Sequence, residues 1–347
     1  MIKKNRARRW VANAVTLIVS IFLSMAMMEG YIRLTQPISV SYVYSPLYDY
    51  RMKSNMDFRF KTAEFDTRVT TDAFGLRGHD ADSRRPCRVM MLGDSFVFGH
   101  GVNDDETFSH LLQERLDVAF PGMYSVINAG VNGYDTIREG GLYQELADVF
   151  HPDLTLVNFV ANDPLSNSGE YVFSPTAISL LRFIPFSGVA SLLEYAFRSP
   201  TDLLHNLGLM EGSTGAAHFA CLNVGACQKA WQATGAALAR IGVSAQRYGS
   251  RMIVVNLPLS QQLPGEIPPF PADGAVAGQW LSAFSGEIGA YFIDLRQAKE
   301  LTPNHYYRHD GHMRAIGHEV VAERLFNPVV ELTGACRNER KHPDIGK

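Results

Sequence analysis

The chain of 347 residues has no CxxC pair, no histidine-rich pairing and only 4 cysteines. Structural zinc modules, whose Cys and His ligands come in closely spaced pairs, are thereby excluded. His318-Glu319 opens like a metalloprotease helix, but no second histidine follows at the required spacing. No metal and no cofactor are expected. Internal repeats and low-complexity tracts are also absent. Basic residues are scarce beyond the amino terminus. Lys3, Lys4, Arg6, Arg8 and Arg9 are five of the 32, so the remaining 27 stand against 35 acids. That balance excludes nucleic acid as a partner, because phosphate binding needs clustered Lys and Arg.

Charge is missing altogether from Trp10–Met28, a run of 19 residues. At 1.5 Å per residue such a helix spans a hydrocarbon core of about 30 Å. The cations before it and Glu29 after it orient the amino terminus to the cytoplasm. Residues 1–9 are then a cytoplasmic basic tail and 10–28 a transmembrane anchor. A signal peptide cleaved near Ser24-Met25-Ala26 is the rival reading, and the length of the apolar run favours the anchor. On either reading the body is exported to a compartment where disulfides persist. Cys221 and Cys227, in a Gly/Ala-rich loop, are close enough to close a small ring.

Residues 29–86 read as a stalk and lead-in, with tyrosine-rich extended stretches and no sustained helical period. From 87 to 336 the pattern is regular. Apolar runs of strand length occupy 88–92, 124–128, 153–160, 251–257 and 290–295. Helical periodicity fills 106–119, 135–150, 229–248, 276–289 and 315–332. Strands alternating with helices predict an α/β fold, with a central parallel five-stranded sheet between two helical layers and right-handed crossovers. Runs that are continuously apolar rather than alternating agree, since such strands are covered on both faces. Residues 164–228 interrupt this pattern with an insertion long enough to be a lid or binding segment. Residues 337–347 are a tail.

In a parallel sheet the carboxyl ends of all strands share one edge, where open α/β folds bind ligands. The first strand ends in Gly93-Asp94-Ser95, common turn residues in their own right. The second is followed by Asn128, Gly130 and Gly133, the third by Asn162-Asp163-Pro164. Asp310 and His312 precede the last helix. A hydroxyl, an exposed glycine N–H, an amide and an imidazole on one edge are the parts that acyl transfer requires.

These blocks, in this order over roughly residues 85–335, resemble the GDSL or SGNH hydrolase family. The resemblance implies a flavodoxin-like three-layer SGNH fold, with Ser95 as nucleophile, His312 as general base and Asp310 as its orienting acid. The oxyanion hole would comprise the N–H groups of Ser95 and Gly133 and the side chain of Asn162. DAFGLRG (Asp72–Gly78) and the apolar amino terminus look like membrane-tethered bacterial members, which implies a single-pass protein of the bacterial inner membrane with a periplasmic catalytic domain. Two departures stand out. Val160 occupies a position that is usually glycine, and the acid lies two rather than three residues before His312. The two-residue offset resembles bacterial exopolysaccharide O-acetyltransferases of the same superfamily.

The function implied is a serine esterase acting on O-acyl groups, acetyl foremost, of a glycan or related envelope substrate, or on a small ester. An O-acetyltransferase with the same triad is the second reading, and a catalytically inactive glycan-binding or assembly protein the third. Topology adds one expectation. Cys87 precedes the first strand, on the edge opposite the active site, and the last helix runs back to that edge before Cys336. The two should form a disulfide. Nothing in the sequence indicates an oligomeric state.

Overall fold

The computed structural model describes residues 2–35, 42–78 apart from 46, 82, 84–167, 189, 221, 224, 225, 227–264, 274–334 and 336. The apolar amino terminus lies within one long helix, α1 (Ile2–Thr35). Its 24-residue segment Arg8–Tyr31 has a mean hydropathy of 2.1 and none of its most apolar window is buried against the rest of the chain. Leu17, Ile18, Phe22 and Leu23 are all exposed. By length and composition this helix can cross a membrane.

Residues 29–86 carry more structure than a stalk and lead-in requires. Two antiparallel hairpins follow α1: β1 (Tyr42–Ser45) with β2 (Asp49–Met52), and β3 (Asp57–Lys61) with β4 (Asp66–Thr70). Tyr48, Tyr50 and Leu76 are buried in the main core. Arg77, from DAFGLRG, is also buried. It donates to the carbonyls of Phe98, Gly99 and Val102 at 3.0, 3.1 and 2.7 Å and pairs with Asp104. The segment thereby grips the loop that follows Ser95.

The regular part begins with β5 (Cys87–Gly93), then α2 (Ser95–Phe98), α3 (Phe108–Ala119), β6 (Tyr124–Gly130) and α4 (Thr136–Phe150). It continues through β7 (Leu154–Phe159), α5 (Asp163–Asn167), α6 (Gln228–Arg247), β8 (Arg251–Asn256), α7 (Gly274–Glu287), β9 (Tyr291–Asp294) and α8 (Ala315–Leu332). No predicted boundary of these strands or long helices is off by more than two residues. The five strands form one parallel sheet in the order β6-β5-β7-β8-β9. Period-two geometry divides the residues of β5 between two cores. Val89 and Met91 enter the core with α3 and α8, whereas Met90 and Leu92 enter the core with α4, α6 and α7. That division explains an uninterrupted apolar strand. Most of the expected insertion at 164–228, and the tail at 337–347, lie outside the described residues.

Cys87 and Cys336 are joined by a disulfide with a Cα–Cα distance of 5.7 Å, and Cys221 and Cys227 by another at 5.2 Å. The first ties the chain just beyond α8 to the start of β5. A crosslink closing so long a loop contributes about 2–5 kcal/mol.

His318 in α8 is fully buried, stacks on Phe108 and accepts the Phe108 N–H on Nδ1 at 3.1 Å. Burial pushes its imidazole down to about 3, with the charge of Arg77 adding to the effect. Between that value and the ordinary 6.5 the unfolded chain binds a proton that the folded chain refuses. Stability therefore rises with pH across this window and falls by about 1.4 kcal/mol per unit on acidification. Unfolding by urea between about pH 6 and pH 4 should show a shallower loss for His318→Gln than for the parent, since glutamine stays neutral. Equal slopes would remove His318 as the source.

Candidate active site

Gly93 lets the chain turn sharply out of β5, because a Cβ there would lie 2.1 Å from Val97 Cγ2. Asp94 then caps α2, its Oδ1 accepting the Phe96 N–H at 2.9 Å. The turn residues of the motif thus do build a turn, and its outcome is to set Ser95 half-buried on the carboxyl edge of the sheet.

Ser95 Oγ lies 2.7 Å from His312 Nε2, and His312 Nδ1 lies 2.6 Å from Asp310 Oδ1. Hydrogen bonds from His100 and His312 more than offset the upward effect of burial on Asp310, and hold its carboxyl well below the usual range. An ionised carboxylate only accepts, so Nδ1 carries the proton and Nε2 is free to accept from the serine hydroxyl. The two-residue offset between acid and histidine is accommodated by a tight turn. The Tyr307 N–H donates to the His312 carbonyl at 2.9 Å, and the Gly311 N–H to the Tyr307 carbonyl at 3.1 Å.

His100 is the residue that sequence reasoning missed. Its Nε2 stands 3.5 Å from Asp310 Oδ2, and its ring centroid lies 4.4 Å from that of His312. Burial pushes its imidazole down, so it stays neutral. No spacing motif marks it. Ligand atoms of His100, Asp310 and His312 lie within 4.8 Å of one another, so these three are the side chains that could hold a cation among the described residues. His309 is exposed, and His305 bonds Thr302 through Nδ1 at 2.9 Å.

Gly133 follows β6 with φ +77°, a conformation that favours glycine, and a Cβ there would lie 2.9 Å from the Tyr50 hydroxyl. That hydroxyl donates to the Asn132 carbonyl at 2.9 Å, so β2 braces the loop from outside. Asn162, just beyond β7, donates from Nδ2 to Asp94 Oδ2 at 3.3 Å. Val160 is buried in the core on the α3 and α8 side of the sheet, which explains how the usual glycine can be replaced here. Asn128 serves the fold, donating to the Val97 carbonyl and to Ser109 Oγ at 2.8 Å each. Beneath the edge, Glu139 and Asp163 are buried beside Asp94 and Asp135. Burial first, and then the neighbouring acids, push both carboxyls well up.

A hydroxyl, an imidazole and a carboxylate bonded in series can pass the hydroxyl proton to the ring while the oxygen attacks an ester carbonyl. The sequence matches the GDSL-like lipase/acylhydrolase family over residues 91–320. The chain belongs to that family. It is accordingly an enzyme of the SGNH esterase type, and an ester is the substrate class. No curated protein gives a significant sequence match. Solved structures similar to this GDSL-family chain include TesA, with 15% identity over 72% of this chain and 99% of that one, at a TM-score of 0.42. The psychrotrophic esterase EstA from Pseudoalteromonas sp. has 11% identity over 71% and 98%, with a TM-score of 0.44. A catalytic mutant of Axe2, an acetylxylan esterase from Geobacillus stearothermophilus, has 13% identity over 71% and 94%, also with a TM-score of 0.44.

Proposed function

We propose that this GDSL-family enzyme is an extracytoplasmic serine esterase that removes O-acyl groups, acetyl foremost, from a glycan or related envelope substrate. In this reading α1 anchors it once through the bacterial inner membrane, with the catalytic domain in the periplasm. The observation that carries the chemistry is the unbroken hydrogen-bonded series Ser95–His312–Asp310. Ser95 Oγ attacks the ester carbonyl as His312 Nε2 takes its proton, and Asp310 stabilises the imidazolium. The tetrahedral oxyanion is received by the N–H groups of Ser95 and Gly133 and by Asn162 Nδ2. Collapse expels the sugar hydroxyl, protonated by His312, and leaves an acyl-Ser95. Water, deprotonated by His312, then releases the carboxylic acid and restores the serine. The exported location is supported by the apolar α1 and by the two disulfides.

A serine-directed phosphonate should label Ser95 stoichiometrically, as read by intact-mass and peptide spectrometry, and Ser95→Ala should abolish the label. Absence of labelling in the parent protein would sink the esterase and favour the inactive glycan-binding reading. The two-residue Asp310–His312 offset favours one second reading, an O-acetyltransferase in which an acceptor hydroxyl replaces water. Acetyl recovered on a glycan acceptor, rather than as free acetate, would select it.

A further inference from the structure

The turn joining β3 to β4 reaches the loop that carries Asp310 and His312. Glu64, in that turn, accepts the backbone N–H groups of Arg308 at 3.0 Å, His309 at 3.1 Å and Asp310 at 2.7 Å. Three successive N–H groups converging on one point form an anion-binding concavity, and here the anion is a side chain 246 residues earlier in the chain. The turn itself is firmly built. Thr62 Oγ1 accepts the N–H groups of Glu64 and Phe65 at 3.2 and 3.3 Å, and the Thr62 N–H donates to the Phe65 carbonyl at 2.8 Å. Phe65 is buried beside it, with ring centroids 5.4 Å from His100 and 5.3 Å from Tyr307. Tyr307 in turn donates its hydroxyl to the Gly101 carbonyl at 2.8 Å.

We infer that Glu64 is a positioning residue for catalysis, holding the 308–310 backbone so that Asp310 meets His312 Nδ1. This rests on the proposed roles of Asp310 and His312. Glu64 lies before the family-matched residues 91–320, in the segment between α1 and the sheet. The connection from the apolar helix is therefore part of the active site rather than a spacer. Asp310 is held by its own side-chain contacts and by its backbone. Removing the carboxylate frees the backbone of three residues next to the reacting groups, where a displacement of about 1 Å costs on the order of 100-fold in rate.

The test uses the full-length protein in detergent with Glu64→Ala and Glu64→Gln, read by kcat and KM on an aryl acetate and by the downfield proton resonance of the His312–Asp310 hydrogen bond. Glu64→Ala is expected to lower kcat by about 10–100-fold with KM changed by less than about twofold, and to broaden or abolish the resonance. Glu64→Gln, which keeps one acceptor oxygen but sets an NH2 against the N–H groups at the other, should retain only part of the kcat and of the resonance. The inference is overturned by a Glu64→Ala protein with kcat within about twofold of the parent. It is equally overturned if that variant keeps the resonance unchanged. Should the parent hydrolyse no ester, the esterase reading fails, and the resonance alone still decides whether Glu64 orders the pair.

Discussion

His312→Gln is expected to cost about 10⁴–10⁶ in kcat/KM on an aryl acetate, with the folded protein retained. The size follows from geometry. His312 bridges Ser95 Oγ at 2.7 Å and Asp310 Oδ1 at 2.6 Å, so its loss leaves the hydroxyl with no base and the carboxylate with no task. Glutamine fills similar space but cannot accept a proton at neutral pH. The same variant should lose phosphonate labelling at Ser95, because that reaction also needs the activated oxygen. A loss below about tenfold would mean that another group takes the serine proton. His100, the neighbouring imidazole, is the first to examine. Its ring contacts that of His312, but the ring's polar contact is to Asp310 rather than to the Ser95 hydroxyl.

The next largest effect is expected at Asn162. Asn162→Ala should lower kcat by about 10²–10³ with little change in KM, because the oxyanion contact proposed for it would act chiefly in the transition state. In the structure its Nδ2 rests 3.3 Å from Asp94 Oδ2, an N–H turned toward the turn that carries Ser95. Asn162→Asp should be at least as damaging, since it replaces a donor with a second carboxylate beside Asp94. Steady-state kinetics on one ester separates the cases. A raised KM with unchanged kcat would assign Asn162 to ground-state binding and leave the oxyanion to the backbone donors.

The parallel sheet was legible in the sequence because burial on both faces writes itself as unbroken apolar runs. Val89, Met90, Met91 and Leu92 alternate between two cores, so all four must be apolar. The order of strands along the chain likewise placed Ser95, Gly133, Asn162 and His312 on one edge, and the direction of the last helix placed Cys336 near Cys87. Those are consequences of local periodicity and chain direction, which a sequence carries explicitly.

The hairpins ahead of the sheet were less legible. Strands of four or five residues with mixed polarity, such as DFRFK and DTRVT, give no periodic signal long enough to separate a packed hairpin from an extended stalk. Their role depends on contacts made far away along the chain. Tyr50 reaches Asn132 and Glu64 reaches the 308–310 backbone, and neither partner is marked by spacing. His100 is hidden for the same reason, because what distinguishes it from any other histidine is its nearness to Asp310.

Local periodicity and residue type suffice for the α/β class, the apolar amino-terminal helix and the set of chemically able residues at the strand ends. Which of them touch is set by the folded chain. It joined Ser95, His312 and Asp310 across a two-residue offset, turned Val160 into the core, and brought the lead-in onto the active edge. Hydrogen bonds of 2.6–2.9 Å are fixed by turns and by partners far apart in the chain, 82 residues for Tyr50 with Asn132 and 217 for Ser95 with His312, whereas hydrophobic periodicity records only which face of each element is buried.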